Sequence, residues 1–139
     1  MSIIPSTVFV DTSGLLALVN ASDAYHAKAG KVEAACSLRR VRFVTSDMVL
    51  TEFLNAMASV RGRELAVQVV TAWLKSPTHR VEQTSIAQWH AALAHYSNHS
   101  DKDWSLVDCA SFQLCKRRRI THVLTADHHF RQAGFHILL

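Results

Sequence analysis

Cysteine, glycine and long apolar runs are all scarce in this chain, and each scarcity excludes a class of protein. The three cysteines, Cys36, Cys109 and Cys115, form no CxxC pair, so neither a zinc finger nor a disulfide-rich secreted fold is expected. The four glycines are too few and too scattered for a phosphate-binding loop or a dinucleotide-binding turn. No apolar run is long enough to cross a bilayer, and the first ten residues lack the basic segment of a signal peptide. We therefore expect reduced thiols and a cytoplasmic protein without membrane contact.

The composition is that of one compact domain. The chain has 139 residues, of which 49% are hydrophobic and 19% are charged, so it can bury one core and has no room for a second full domain. The formal net charge of +4 is compatible with a polyanionic partner, because basic surface attracts phosphate at long range. This indication is weak by itself, since many proteins are mildly basic.

Short β-branched and aromatic runs alternate with longer helical patterns, without repeats or linkers. Five strands are predicted, at residues 7–10, 41–45, 80–83, 121–125 and 135–138. Helices are predicted at about 15–20, 24–38, 64–74, 85–96 and 105–119, with a further helix whose apolar stripe is Leu50, Phe53, Leu54 and Met57. This order predicts an α/β fold in three layers, with a mostly parallel sheet of about five strands flanked by helices.

Two aspartates come directly after predicted strands. Asp11 follows the first strand, and Asp127 follows the fourth by two residues. The carboxyl ends of parallel strands share one edge of the sheet, where open α/β sheets bind ligands. Either aspartate alone is equally well explained as a turn former or a helix cap. Two of them at strand ends favour a functional site.

Glu52 and Asp108 lie within predicted helices, and each has a structural as well as a functional explanation. Glu52 lies on the side of its helix away from the apolar stripe, together with Asn55, as a solvated glutamate would. Asp108 follows Ser105 in the pattern S-x-x-D, which is the spacing of a capping box at a helix start. Spacing alone assigns neither residue to a site.

Four acids gathered in one place would suit a hard divalent cation. Mg²⁺ prefers carboxylate oxygens, keeps several waters and binds substrate phosphate oxygens. Two such ions about 3.5–4 Å apart activate an attacking water and stabilise the leaving oxygen of a phosphodiester. Such a cluster would hold metal, in contrast to the acid and base pair of a glycosidase.

Four segments resemble the successive motifs of the PIN-domain family, and in particular its VapC-like toxins. They are Phe9–Ser13, Leu50–Asn55, Leu106–Phe112 and Leu124–Phe130. Each motif alone is weak, but the four occur in the family's order and spacing, and together they cover nearly the whole chain. The resemblance implies a single PIN domain over residues 1–139.

The resemblance also implies a site and an activity. Four acids would bind Mg²⁺ or Mn²⁺ and hydrolyse RNA with a water as the attacking group and no protein nucleophile: Asp11, Glu52, Asp108 and Asp127. Supporting positions are implied for Ser13 and Thr125, with Asn55, Asp103 and Ser111 as weaker candidates. A metal-dependent endoribonuclease is therefore expected, as the toxin of a toxin–antitoxin pair with a cognate antitoxin protein, and as a homodimer.

The third acidic position has three candidates within one loop and helix start. Asp101, Asp103 and Asp108 all lie there. We favour Asp108, because its surrounding residues resemble the family's third motif, whereas Asp101 and Asp103 are equally well placed in a solvated loop. Asp103 stays open as an additional metal or water ligand.

Two other functions have to be weighed against the ribonuclease. An aspartate-nucleophile phosphatase of the haloacid dehalogenase type also begins with a strand that ends in aspartate, but it needs a second aspartate where this chain has Ser13. A catalytically silent PIN-like module that binds RNA or a protein would have the same fold without convergent acids. The RNA target, the cleavage site and the metal used in the cell stay open.

Two further features have commoner structural explanations. The basic run from Lys116 to Arg119 would contact an RNA backbone, but cations at a helix C-terminus also complement the helix dipole. His128 and His129 follow Asp127 without the spacing of a zinc site, so we expect them to flank the acids and not to ligate metal.

Overall fold

The computed structural model describes residues 5–139, which form an α/β fold of five strands and seven helices. The strands are β1 (Thr7–Val10), β2 (Arg42–Ser46), β3 (His79–Glu82), β4 (His122–Leu124) and β5 (His136–Ile137). The helices are α1 (Thr12–Val19), α2 (His26–Leu38), α3 (Asp47–Ala56), α4 (Val60–Lys75), α5 (Ile86–Asn98), α6 (Leu106–Arg117) and α7 (His128–Gln132). Within these described residues, no helix has the length and apolar composition needed to cross a membrane.

The five strands form one sheet in the order β3-β2-β1-β4-β5, and every neighbouring pair is parallel. The central strand is β1, whose residues Val8, Phe9 and Val10 are fully buried. A strand in the middle of a parallel sheet has no solvated face, which explains its continuous apolar sequence. The predicted mostly parallel sheet of about five strands is confirmed and is wholly parallel.

Helices cover both faces of the sheet and give the predicted three layers. On one face, Phe9 of β1 lies against Phe130 of α7, which packs on Phe112 of α6. On the other face, Phe43 of β2 stacks on His79, and the ring of Trp73 from α4 lies edge-on to the same histidine. The apolar core therefore runs through the sheet into two helical layers.

Two of the cysteines secure the turns by which helices lead back into the sheet. After α2, the N–H of Val41 donates to the carbonyl of Cys36 at 3.0 Å, and after α6 the N–H of Ile120 donates to that of Cys115 at 2.8 Å. All four side chains are buried, which is the apolar contact that accompanies this helix-ending motif. The three cysteines are free thiols, and their structural role is packing.

The differences from the sequence-based expectations are local. The predicted apolar stripe of α3 was wrong at Leu54, which is 37% exposed, because Val49, Leu50 and Phe53 already cover the buried arc of this helix. Helix α4 begins four residues earlier than predicted, since the hydroxyl of Ser59 caps it at Gly62. The capping box of Ser105 and Asp108 is present at the start of α6, and α5 begins with a second one, formed by Ser85 and Gln88.

Candidate metal centre

Asp11 is the acid that the sheet buries most deeply. It follows β1 in an extended conformation, and its backbone N–H donates to the carbonyl of Leu124 at 3.2 Å, which continues the pairing with β4 by one residue. Its carboxylate is 4% exposed and makes no capping hydrogen bond, although Asp11 occupies the N-cap position of α1. Capping of α1 therefore does not explain this buried carboxylate.

A directed chain of hydroxyls holds Asp11 against the end of β4. Thr125 donates to Oδ2 of Asp11 at 3.2 Å, and the hydroxyl of Ser13 lies 2.8 Å from that of Thr125. The backbone N–H of Asp127 donates to Thr125 at 3.0 Å, and that of Ala126 donates to Ser13 at 3.0 Å. Because the Thr125 proton is used on Asp11, the Ser13 hydroxyl is the donor between the two.

Gly14 allows this chain to form, because the first turn of α1 lies directly against the end of β4. A Cβ atom at position 14 would overlap the backbone carbonyl of Leu124. Any side chain larger than hydrogen would therefore separate α1 from β4 at the point where Ser13 and Thr125 meet. The requirement at Gly14 is the close approach of two backbones.

Asp108 and Asp127 are joined by one imidazole. Nδ1 of His129 lies 3.0 Å from Oδ2 of Asp108 and 3.2 Å from Oδ1 of Asp127. Asp108 is 7% exposed and accepts the backbone N–H of Ser105 at 3.0 Å, which is the capping box, while Asp127 caps α7 through the N–H of His129. Both aspartates thus have structural roles that use the same oxygens that face the imidazole.

Glu52, on α3, is the last of the four acids. It is half-buried on α3, and the hydroxyl of Thr12 donates to its Oε1. Thr12 directly follows Asp11 and is itself buried, so this contact places Glu52 beside Asp11. Thr12 was not singled out from the sequence, and its position next to the first acid is the only signal that points to it.

The hydrogen bonds leave one oxygen of each acid for another ligand. Within residues 5–139, the hydrogen bonds to the four acids fall on Oδ2 of Asp11, Oε1 of Glu52, Oδ2 of Asp108 and Oδ1 of Asp127. The second oxygen of each accepts no hydrogen bond from these residues. Carboxylates fixed through one oxygen and open at the other fit a hard divalent cation, which takes oxygen ligands.

The electrostatics of the cluster also fit a cation. Burial raises the pKa of Asp11 from 3.8 to about 7, a shift that the Thr12 N–H opposes and that the negative charges of Asp108 and Glu52 increase. Burial likewise raises the pKa of Asp108, and Asp127 adds to the rise. Buried carboxylates that repel one another bind either protons or a metal ion, because both relieve the same repulsion.

The fold and the four motifs agree with a match to a known family. The family model of the PIN domain matches residues 8–136. The chain belongs to the PIN-domain family. The predicted family and the fold that it implies are thereby confirmed.

Two relatives place this PIN domain among known proteins. It is 31% identical over 128 residues to the 23S rRNA-specific endonuclease VapC20 of Mycobacterium tuberculosis, a match that covers 92% of this chain and 95% of the relative. The crystal structure of VapC20, described as a sarcin–ricin loop cleaving toxin, matches with a TM-score of 0.82 at 30% identity over the same shares of both chains. These descriptions agree with the prediction of a toxin ribonuclease. FitAcB from Neisseria gonorrhoeae matches over 95% of this chain and 96% of its own, with a TM-score of 0.63 at 15% identity, and shares the fold alone.

Two weaker candidates lie outside the cluster in this PIN domain. Asp103 is exposed in the loop before α6 and forms no hydrogen bond or salt bridge within residues 5–139. Asn55 is exposed near the end of α3, three residues beyond Glu52, and its side chain makes no hydrogen bond in the described part of the chain. The geometry therefore favours Asp108 over Asp103 as the third acid.

Ser111 is buried on α6, three residues after Asp108. It is 1% exposed, and its hydroxyl has no hydrogen-bond partner within the described residues. On α6 it lies between Asp108 and Cys115. Burial, and to a smaller extent the charge of Asp11, raises the pKa of the Cys115 thiol. An unpartnered buried hydroxyl at this position fits a site that takes a further polar ligand.

The histidines come nearer to the acids than the sequence suggested. Donor atoms of Asp127, His128 and His129 all lie within 4.8 Å of one another, closer together than those of the four acids as a set. His128 is the more exposed of the two, and its Nδ1 is 3.8 Å from Asp127. Because Mg²⁺ and Mn²⁺ prefer oxygen, we keep the acids as the candidate ligands and regard His129 as the group that positions two of them.

Proposed function

We propose that this chain is a metal-dependent endoribonuclease that hydrolyses RNA phosphodiesters and acts in the cytoplasm as the toxin of a toxin–antitoxin pair. The observation that carries the proposal is the arrangement of the acids in two linked pairs: Thr12, the residue after Asp11, contacts Glu52, and His129 lies between Asp108 and Asp127. Each of the four acids has one oxygen that accepts no hydrogen bond from residues 5–139. The 31% sequence identity to VapC20, an endonuclease, supports the hydrolysis of RNA as the reaction. The four acids would hold Mg²⁺ or Mn²⁺.

The residues of the chain would prepare the site in two ways. Burial of Asp11 and Asp108 excludes bulk water and strengthens every electrostatic interaction with a bound phosphate or cation. The hydroxyls of Thr125 and Thr12 fix the direction of the Asp11 and Glu52 carboxylates before any ligand arrives. A bound divalent cation would supply the Lewis acidity that activates water and stabilises charge on the leaving oxygen.

His129 would keep Asp108 and Asp127 at a fixed separation. Its ring lies between the two carboxylates. Its backbone N–H also donates a hydrogen bond to the carboxylate of Asp127 at 2.9 Å, so both the ring and the backbone of His129 contact this acid. Neither Ser13 nor a cysteine is placed as a nucleophile, because the Ser13 hydroxyl is committed to Thr125 and burial raises the pKa values of the Cys109 and Cys115 thiols. Attack by water is the reaction that this arrangement supports.

Ribosomal RNA is the first substrate to test. VapC20 is described as specific for 23S rRNA and as cleaving the sarcin–ricin loop, and this chain matches it over nearly the full length of both. We propose a structured RNA hairpin of the large ribosomal subunit as the substrate class.

Control by a partner protein is the second part of the proposal. A ribonuclease that attacks ribosomal RNA has to be held inactive by a cognate antitoxin protein, and we expect the toxin itself to be a homodimer. The protein is co-expressed with any short gene that overlaps or adjoins its own. Light scattering of the purified product then measures how many copies of the toxin, and of a co-purifying partner, it contains. A monomer without a co-purifying partner would contradict this part alone.

The decisive experiment compares Asp11→Asn with Asp103→Asn. Both substitutions remove one negative charge, but Asp11 is in the cluster and Asp103 is exposed outside it. The substrates are intact 70S ribosomes and a synthetic sarcin–ricin hairpin, with Mg²⁺, with Mn²⁺ and with EDTA. We expect cleavage by wild type and Asp103→Asn in either metal, and none by Asp11→Asn or in EDTA. Full cleavage by Asp11→Asn would overturn the assignment of the acids.

A further inference from the structure

The end of the sheet opposite to the acid cluster is rich in arginine. Six of the ten arginines lie at the amino ends of β2 and β3 or in the turns that lead into β2 and β4, and a seventh, Arg117, is the last residue of α6, with its side chain near Glu82 at the carboxyl end of β3. We call these residues the arginine edge: Arg39, Arg40, Arg42, Arg80, Arg117, Arg118 and Arg119. Asp11 and Asp127 follow the carboxyl ends of β1 and β4, and Glu52 lies on the helix that follows β2. About 13 Å of sheet separates the two ends of a four-residue strand, at roughly 3.3 Å for each residue.

Two adjoining recesses open within the arginine edge. One of about 280 Å³ is lined by Arg42, Arg80 and Arg118 together with the hydroxyl-bearing Thr7 and Thr78. The second, of about 550 Å³, shares Arg42 and Thr7 with the first and extends to Arg39 and Arg40. Guanidinium groups and hydroxyls are the side chains that bind phosphate oxygens.

Little negative charge compensates these arginines. Within residues 5–139, Glu82 is the only carboxylate in salt-bridge contact with them: it accepts from Nε of Arg118 at 2.7 Å and from its second guanidinium nitrogen at 3.3 Å, and it lies 3.9 Å from Arg117. Arg42 and Arg80 are exposed on strands and have no acidic partner in this part of the chain. The edge therefore carries an excess of positive charge.

Two of the arginines occupy backbone positions that suit glycine. Arg40 and Arg119 both have φ of 55° and follow the ends of α2 and α6. The same helix-ending turn follows α7, and there the equivalent residue is Gly134, with φ of 96°. A residue with a side chain is strained at a positive φ, so backbone conformation alone would favour glycine at all three positions. The conformation therefore does not explain why two of them are arginine.

The usual structural explanation does not account for the whole edge. Cations in the last turn of a helix complement its dipole, which explains Arg117 at the end of α6. Arg42 and Arg80 belong to β2 and β3, where no helix terminus calls for a cation. Their exposure beside a polar recess indicates a ligand that carries negative charge.

We propose that the arginine edge binds the phosphate backbone of the RNA substrate, remote from the acids that cut it. This inference rests on the proposed ribonuclease function and adds a second contact surface to it. Arginine suits this role because its planar fork pairs with two phosphate oxygens at once. A hairpin held at both ends of the sheet is longer than the few nucleotides that the acid cluster contacts, which would favour structured RNA over short single strands.

The test measures binding apart from cleavage. A fluorescein-labelled sarcin–ricin hairpin is titrated in EDTA, and fluorescence anisotropy gives Kd across a range of KCl concentrations. The variant is Arg42→Gln with Arg80→Gln. Its matched control is Lys28→Gln with Lys31→Gln, which removes the same charge from exposed positions in the first half of α2. Melting temperatures of both variants check that the fold is retained. A third variant, Arg42→Lys with Arg80→Lys, keeps the positive charge but removes the planar guanidinium that can pair with two phosphate oxygens.

We expect the double glutamine variant of Arg42 and Arg80 to bind the hairpin about tenfold or more weakly than wild type at 0.1 M salt. The slope of log Kd against log salt concentration should be smaller by about 1 for each phosphate that the variant no longer binds. The lysine control should bind as wild type does, and the arginine-to-lysine variant should keep most of the salt dependence. Equal Kd values and slopes for the glutamine variant and the control would overturn the proposal.

The outcomes separate this proposal from the proposed function. Cleavage by wild type with unchanged RNA affinity of the glutamine variant would reject the arginine edge and leave the ribonuclease intact. Arginine-dependent binding of a hairpin that wild type does not cleave in Mg²⁺ or Mn²⁺ would reject the ribonuclease and keep the binding surface. If the glutamine variant lost affinity for poly-glutamate but not for RNA, the edge would be a protein contact, and the RNA assignment would be wrong.

Discussion

The hydroxyl of Thr125 donates a hydrogen bond to Oδ2 of Asp11 at 3.2 Å, across 114 residues of sequence. The same hydroxyl oxygen accepts the backbone N–H of Asp127 and the hydroxyl of Ser13. One side chain thus aligns the first acid, the fourth acid and the serine between them. The orientation of the site depends on this threonine, although it is not itself a candidate ligand.

Thr125→Val should weaken both folding and activity. The valine has the same shape, but it leaves the N–H of Asp127 and the hydroxyl of Ser13 without their buried acceptor, at a cost of about 1–3 kcal/mol in the free energy of unfolding. Activity should fall roughly 10- to 100-fold, as for other residues that orient ligands. Urea denaturation and initial cleavage rates measure the two effects. Thr121→Val, at an exposed threonine, is the control, and an equal loss in both variants would contradict the role of Thr125.

Asp108→Asn should separate the capping role of Asp108 from its role in the cluster. The amide oxygen can still accept the N–H of Ser105, so the loss of stability should stay near or below about 1 kcal/mol. Cleavage should be lost, because the substitution removes the negative charge and the carboxylate oxygen that is left free for a metal ion. Thermal melts and RNA cleavage assays report the two properties separately. If Asp103→Asn were inactive while Asp108→Asn retained activity, the third acid would be Asp103.

The metal-free protein should lose stability as the pH rises. Folding raises the pKa of Asp11 from 3.8 to about 7, so its protonated form stabilises the fold; that contribution is full below pH 3.8 and is lost as the pH rises through about 7. In EDTA, Asp11→Asn should therefore melt higher than wild type at pH 8, and by a larger margin than at pH 5. Added Mn²⁺ should raise the melting temperature of wild type at pH 8, by about 2.7 kcal/mol of stability at a hundredfold excess over Kd.

Constant ionic strength keeps general screening out of that comparison, because salt also weakens repulsion between carboxylates. Asp103→Asn serves as the control and should follow wild type with and without Mn²⁺, since Asp103 is exposed outside the cluster. Identical melting of wild type and Asp11→Asn at both pH values and in both metal conditions would show that the acids do not form one site.

Gly14→Ala should impair the site through the backbone. The added Cβ would overlap the carbonyl of Leu124, so α1 and β4 would move apart and the contact between Ser13 and Thr125 would lengthen. We expect a loss of about 1–3 kcal/mol, as for other overpacked positions, together with reduced cleavage. Gly30→Ala is the matched control: nothing lies within 4 Å of its Cβ in the middle of α2, so it should stabilise the protein by up to about 1 kcal/mol. Denaturant titrations of both variants test the difference in sign.

The sheet and the positions of the acids follow closely from the sequence. Val8, Phe9 and Val10 are apolar without alternation, which indicates a strand buried on both faces and so a parallel sheet with helices on each side. In such a sheet every strand ends at the same edge, so Asp11 and Asp127 could be placed together without knowing any distance. Asp108 needed the family motif as well, because a capping box explains its spacing equally well.

The contacts within the site were harder to predict, because they depend on how the helices pack. His129 was expected only to flank the acids, and it lies between Asp108 and Asp127; the contact with Asp108 spans 21 residues. Thr12 on α1 meets Glu52 on α3 across 40 residues of sequence. Helical periodicity gives the face on which a side chain lies, but not the distance to a residue on another element.

The separation of Asp11 and Thr125 along the chain also has a consequence for when the site can exist. The ribosome makes β1 first, but its neighbour β4 and the fourth acid follow only after more than a hundred further residues. A growing chain therefore holds Asp11 without the strand that aligns it. If the protein attacks ribosomal RNA, the ribosome that synthesises it is not exposed to a complete nuclease until β4 and the residues that follow it have been made.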